Sequence, residues 1–188
     1  MSVHTTPAAP VAPSPDTQLS QTEIDAIHNK IQKQKTHAGG AGWFYWIAGL
    51  SLITSVVSLS GGTWSFLAGL GVTQLFDGFA IGLTKSGIGD WIKVLGFFLD
   101  VLAAAVFVVI GYFAKKGSRA TYITGMVLYG IDSAILLLFQ EWIGLAFHAF
   151  ALFQIWNGLA ALGWLNASSA AAAAIQSPVE ESTAVEPT

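Results

Sequence analysis

The chain has no cysteine. That removes disulfides, thiol redox chemistry, thiolate metal sites and lipid anchors on cysteine. Charge is scarce as well. Asp, Glu, Lys and Arg make up 10% of the residues, against about 25% in an ordinary soluble domain. The few basic residues are scattered, which argues against nucleic acid as a partner, because phosphates demand clustered cations. No glycine loop of the nucleotide-binding kind is present. Met1 to Pro15 is polar and rich in Pro and Ala, without the basic start and apolar run of a cleavable leader. The first apolar helix is therefore expected to act as its own insertion signal.

What the chain has instead is apolar length. Of its 188 residues 53% are hydrophobic, and the mean hydropathy is +0.60. A bilayer core of about 30 Å needs roughly 20 apolar residues per helix. Five stretches approach that length: Trp43 to Ser60, Trp64 to Thr84, Trp91 to Ala114, Ala120 to Phe139, and Trp142 to Leu165. Each is continuously apolar, whereas barrel strands alternate over about 10 residues. The expected fold is an all-α integral membrane protein, a bundle of about five hydrophobic helices with disordered tails. The second helix, with Gln74, Asp77 and four glycines, either spans or is re-entrant.

The organisation follows from composition. Residues 1–17 read as a disordered Pro/Ala-rich tail. Residues 18–37 read as a short amphipathic helix. Ser20 and Glu23 have capping-box spacing at its start, and Leu19 and Ile24 have the spacing of a hydrophobic staple. His37-Ala38-Gly39-Gly40 is expected to end it. Residues 43–165 form the transmembrane helical domain, and 166–188 read as a disordered, acidic, Ala-rich tail with a turn or two of helix. Trp43, Tyr45 and Trp46 have the composition of an interfacial aromatic belt.

Orientation depends on Lys and Arg near the membrane ends. Lys115, Lys116 and Arg119 form the sharpest basic loop. Five spans with an inside N-terminus put that loop outside. Four spans, with the second segment only dipping in, put it inside with Lys30, Lys33 and Lys35. Length favours five and charge favours four.

The candidate site is a polar layer inside the membrane. Asp132 lies eight residues before Gln140, and His148 lies eight after it. In an antiparallel hairpin turning at Gln140-Glu141 the two share one depth. Similar counting about Lys116 and Ile88 brings Asp100 and Asp77 to the same layer, with Tyr129 one turn from Asp132 on the same face. A charge there costs about 2.5–3.5 kcal/mol on insertion scales, so His148 is the natural partner of one aspartate. Such groups either carry protons or ions, or bond helices together.

Enzyme chemistry is not expected. Intramembrane aspartyl proteases carry Gly-x-Gly-Asp and Tyr-Asp motifs, whereas Ile131 precedes Asp132 and Leu99 precedes Asp100 here. Three aspartates and one histidine lack the imidazole count usual for zinc or iron. One membrane histidine cannot make a bis-His haem site. No catalytic residue, cofactor or metal is therefore expected. The expected partners are the bilayer and either a helix-packing protein or further copies of the chain.

The runs GLGVTQLFDG, GYFAKKGSRATYITGMVLYGIDSAILLLF and AFHAFALFQIWNGLAAL resemble a loosely defined set of small multi-pass bacterial membrane proteins with no assigned activity. The resemblance covers Trp43 to Trp164, and Asp132, His148 and the basic loop recur at similar places in the set. It implies a bacterial cytoplasmic membrane and supplies no catalytic residue. Two roles stand: a non-enzymatic accessory or scaffold protein, or a small proton- or ion-coupled transporter or channel.

Overall fold

A computed structural model describes residues 19–60, 71–86, 91–138 and 140–183. At some helix positions, Asp77 among them, only the backbone is described. The tail over 1–17 lies outside the described residues, as does the chain beyond 183.

Five helices follow in order: α1 (Gln21–Leu59), α2 (Gly71–Lys85), α3 (Trp91–Lys115), α4 (Arg119–Leu138) and α5 (Trp142–Thr183). Among the described residues there is no strand. α1 begins at the expected capping box. The Ser20 N–H and hydroxyl donate to Glu23 Oε2 at 2.8 and 2.9 Å, and the Glu23 N–H donates back to Ser20 Oγ at 3.3 Å. The Ser20 backbone bond, then its hydroxyl bond, hold the Glu23 carboxyl below its ordinary range.

α1 does not stop at Gly39-Gly40. It runs 39 residues as one helix, about 58 Å at 1.5 Å per residue. The reason is a helix crossing. A β-carbon at Gly40 would lie 2.5 Å from the Gly158 Cα, and one at Gly158 would lie 2.7 Å from the Gly40 Cα. The two glycines let α1 and α5 touch backbone to backbone, as small residues do between membrane helices. α5 is also longer than expected. It continues through Ala170–Ala174 to Thr183, 42 residues in all; alanine is the best helix former, and the one proline of this stretch, Pro178, comes only in its last turns.

Both hairpin turns close alike. After α3, Gly117 takes φ +88°, its N–H donates to Ala114 O at 2.9 Å, and the Ser118 N–H donates to Phe113 O at 3.2 Å. After α4, Gln140 takes φ 57°, its N–H donates to Leu137 O, and the Glu141 N–H donates to Leu136 O, both at 3.1 Å. This is the Schellman pattern, with a left-handed residue satisfying the last free carbonyls.

α1, α3, α4 and α5 are long and apolar enough to cross a membrane. α2 has 15 residues, about 22 Å, short of a 30 Å core. The start of α1 and the late part of α5 line common cavities, so these two helix ends lie at one end of the bundle. His37 on α1 meets the Lys115 carbonyl and Tyr122 at the α3–α4 turn, so that turn lies at the same end. Lys30, Lys33, Lys35, Lys115, Lys116 and Arg119 therefore gather there, while Lys85 and Lys93 lie at the other end. Termini on one side require an even number of crossings. The four helices able to cross, with α2 too short over its described residues, meet that condition.

Phe44 is the centre of the core. It is fully buried and seats against α4 where Gly125 leaves room: a β-carbon there would lie 2.5 Å from the Phe44 ring. Ile47, Phe107, Ile110, Tyr122, Tyr129 and Ile155 are among its other large members. At the basic end, Lys115 and Lys116 reach over the Tyr45 and Tyr112 rings at 5.0 and 4.4 Å.

Candidate functional site

α4 presents Asp132 and α5 presents His148, equidistant from their common turn, and the two meet. His148 Nε2 lies 2.8 Å from Asp132 Oδ2. His148 is fully buried and Asp132 is 4% exposed. The other ring nitrogen, Nδ1, lies 2.8 Å from the Gly144 carbonyl one turn earlier in α5. A carbonyl only accepts, so Nδ1 carries a proton and donates. That leaves a single proton on the Nε2–Oδ2 axis. On the nitrogen it makes an ion pair, and on the oxygen a neutral pair. The dyad adds no net charge to the membrane in either state, which lowers the cost of placing it there.

The carboxylate has a third attachment. The Gly71 N–H donates to Asp132 Oδ2 and the Val72 N–H to Oδ1, each at 2.8 Å. These are the first residues of α2, whose leading N–H groups have no partner within the helix. Asp132 thus caps α2 from another helix, with both oxygens engaged, and its negative charge suits the positive end of the α2 dipole. Gly71 makes the approach possible. A β-carbon there would lie 3.1 Å from the Asp132 carbonyl and from the Leu136 side chain. Next to it, Ser51 on α1 donates to Thr73 on α2 at 3.4 Å, a long bond between two buried hydroxyls.

Tyr129 stacks on His148, with ring centroids 4.2 Å apart and planes 13° from parallel. Phe107 meets Tyr129 edge-on at 6.0 Å. The Tyr129 ring thus covers one face of the imidazole, and Phe147 stands edge-on to it at 6.4 Å. The Tyr129 hydroxyl is buried with no hydrogen-bond partner among the described residues.

The expected residues fall at two levels rather than one. The Phe107–Tyr129 and Ile110–Gly125 contacts centre the α3–α4 hairpin between Gly117 and Ser118. Asp132 then lies opposite Ala103 and Ala104, and Asp100 opposite Leu136, about 6 Å or one turn further from the basic end. The turn expected at Lys116 was nearly two residues out, and a hairpin doubles such an error. Asp100 is fully buried on α3. On α2 the level of Asp132 belongs to Gly71 and Val72. Asp77 comes five residues later, about 7.5 Å along the helix, and its side chain lies outside the described residues. Lys115, Lys116 and Arg119 sit at the α3–α4 turn, remote from the dyad.

A second polar contact escaped the sequence reading. The Tyr122 hydroxyl donates to the His37 carbonyl at 2.7 Å and lies 3.1 Å from His37 Nδ1, while His37 Nε2 lies 3.4 Å from the Lys115 carbonyl. This ties α1 to the end of α3. Its only sequence signal was a histidine one turn before Gly40, where a helix end was expected.

Among the described residues no group of three His, Asp or Glu side chains gathers as a metal site would require. No protein-family model, no curated protein and no solved structure matches the chain.

Proposed function

We propose that this multi-pass membrane protein is a non-enzymatic accessory or scaffold protein, acting through helix packing with a protein partner or with further copies of itself. The observation that supports this reading most is the saturation of the dyad. Both oxygens of Asp132 and both ring nitrogens of His148 are bonded to protein groups. The pair works as a clamp that fixes the inner end of α2 to the α4–α5 hairpin. Beyond the membrane, α1 and α5 continue side by side as a two-helix stalk. The basic end carrying that stalk faces the cytoplasm by the positive-inside rule, and a bacterial cytoplasmic membrane is the setting the resemblance implies.

A second reading, a small proton- or ion-coupled transporter or channel, draws on the single proton shared along the Asp132–His148 axis. It also draws on a helix that begins within the bilayer at a carboxylate, since intramembrane half-helix ends bind ions in transporters. Purified protein in liposomes loaded with a pH-sensitive dye separates the two. The scaffold reading predicts proton leak equal to that of empty liposomes. Proton flux lost in stable Asp132→Asn protein would favour the second reading and defeat the first.

A further inference from the structure

Around the Gly40–Gly158 contact a groove opens between α1 and α5. A cavity of about 580 Å³ lies in it, lined by Lys33, Thr36 and Trp43 from α1 and by Gln154, Asn157 and Trp164 from α5. That volume falls within the range of small-ligand sites, about 300–1,000 Å³. The two helices are antiparallel, so Lys33 comes level with Trp164 and Trp43 with Gln154. The Lys33 end lies beyond His37 and the α3–α4 turn. The Trp43 end lies within the apolar span, where Trp43 stands edge-on to Phe147 and Phe150 at 6.2 and 5.3 Å. The groove therefore runs from the headgroup region into the hydrocarbon.

The amides are the informative groups. Between Trp142 and Leu165, α5 carries only three strongly polar side chains, His148, Gln154 and Asn157. His148 is in the dyad, and the other two line this groove. Among the described residues neither amide is hydrogen-bonded to the protein. An amide at this depth costs free energy until something bonds it, and hydrocarbon offers nothing. No carboxylate lines the cavity, and Lys33 supplies a positive charge at its outer end.

We propose that this groove binds one anionic glycerophospholipid. Its phosphate pairs with Lys33 Nζ, its ester oxygens accept from the Asn157 and Gln154 amides, and an acyl chain descends past Trp43. The proposal rests on α1 and α5 crossing a bilayer. Retention in the membrane pellet at alkaline pH tests that premise separately.

The test is native mass spectrometry of the full chain in detergent, titrated with phosphatidylglycerol, phosphatidylcholine or inorganic phosphate. Phosphatidylglycerol is expected to stay bound as one copy in preference to phosphatidylcholine. Lys33→Gln should weaken it about tenfold, the loss of one charge-assisted bond, and erase the preference. Gly39→Leu should abolish binding by filling the groove. A side chain at Gly39 meets open space and removes a helix-interior glycine, so the thermal midpoint of the lipid-free variant should be no lower than the parent's. If that variant does not fold, Ala160→Leu plugs the same groove from α5. Equal retention of both lipids, binding that survives both plugs, or displacement of lipid by millimolar phosphate would overturn the assignment.

Discussion

Two joints in the bundle work by opposite means. Near the basic end, α1 and α5 meet because Gly40 and Gly158 have no side chains. Deeper in the membrane, α2, α4 and α5 meet because Asp132 and His148 do have them. The glycine joint depends on space and is indifferent to protonation. The dyad joint depends on satisfying polar groups, and a substitution of equal volume can break it. Dispersion and close approach suffice for the first. The second is needed because α2 starts inside the bilayer, where its leading N–H groups find no water.

The largest effect should come from the dyad. Asp132→Leu strands the Gly71 and Val72 N–H groups and His148 together, and should cost about 3–5 kcal/mol. Unfolding in mixed SDS and dodecylmaltoside micelles measures it. Asp132→Asn, which keeps the size and much of the bonding, should cost less than half of that.

Next is the glycine joint. Gly158→Leu must force the helices apart, at about 1–3 kcal/mol. Here the chemical character of the new side chain should matter little and its volume a great deal. If Gly158→Ser and Gly158→Ala differ strongly from each other, the distinction between the joints fails.

The two turns sharpen the comparison on a smaller scale. Gln140 holds a left-handed conformation that costs an L-residue about 1 kcal/mol, whereas Gly117 adopts it freely. Gln140→Gly should therefore stabilise, and Gly117→Ala should destabilise, by roughly that amount. Equal signs for both would mean that the turns are not equivalent.

The smallest effect is at the start of α1. Glu23 has a folded pKa below its ordinary 4.5. Its contribution to the capping box is complete above 4.5 and is lost as pH falls through the lowered folded value. Amide exchange in the first turn of α1 should quicken, relative to the rest of α1, below that point. In Ser20→Ala protein, which loses the hydroxyl bond and keeps the Ser20 N–H bond to Glu23, the added acid sensitivity should shrink, and in Glu23→Gln protein it should vanish.

The sequence showed clearly whatever rests on local patterning or on counting from a sharp turn. The capping box is a fixed spacing, and the Asp132–His148 meeting follows from equal distances to Gln140-Glu141. The Gly39-Gly40 pair was misread because glycine marks a helix end and a close crossing with the same letter. The residue that decides, Gly158, lies far away in the chain. The partner of Asp132 on α2 was invisible for another reason. Gly71 and Val72 contribute backbone N–H groups, which nearly every residue has. The four-span arrangement was hinted at by Lys115, Lys116 and Arg119 and obscured by the apolar length around α2. The length of α5 was missed because an Ala-rich tract reads alike as low-complexity tail and as helix.

The central claim is that Asp132 and His148 act as one clamp, and a double-mutant cycle tests it most directly. Asp132→Leu, His148→Leu and the double variant are compared by unfolding in the same mixed micelles. If the clamp is real, the double variant loses less than the sum of the singles, by about 0.5–3 kcal/mol, because the second substitution removes a group the first has already orphaned. Strict additivity would mean that the two side chains do not act on each other, and would contradict the account.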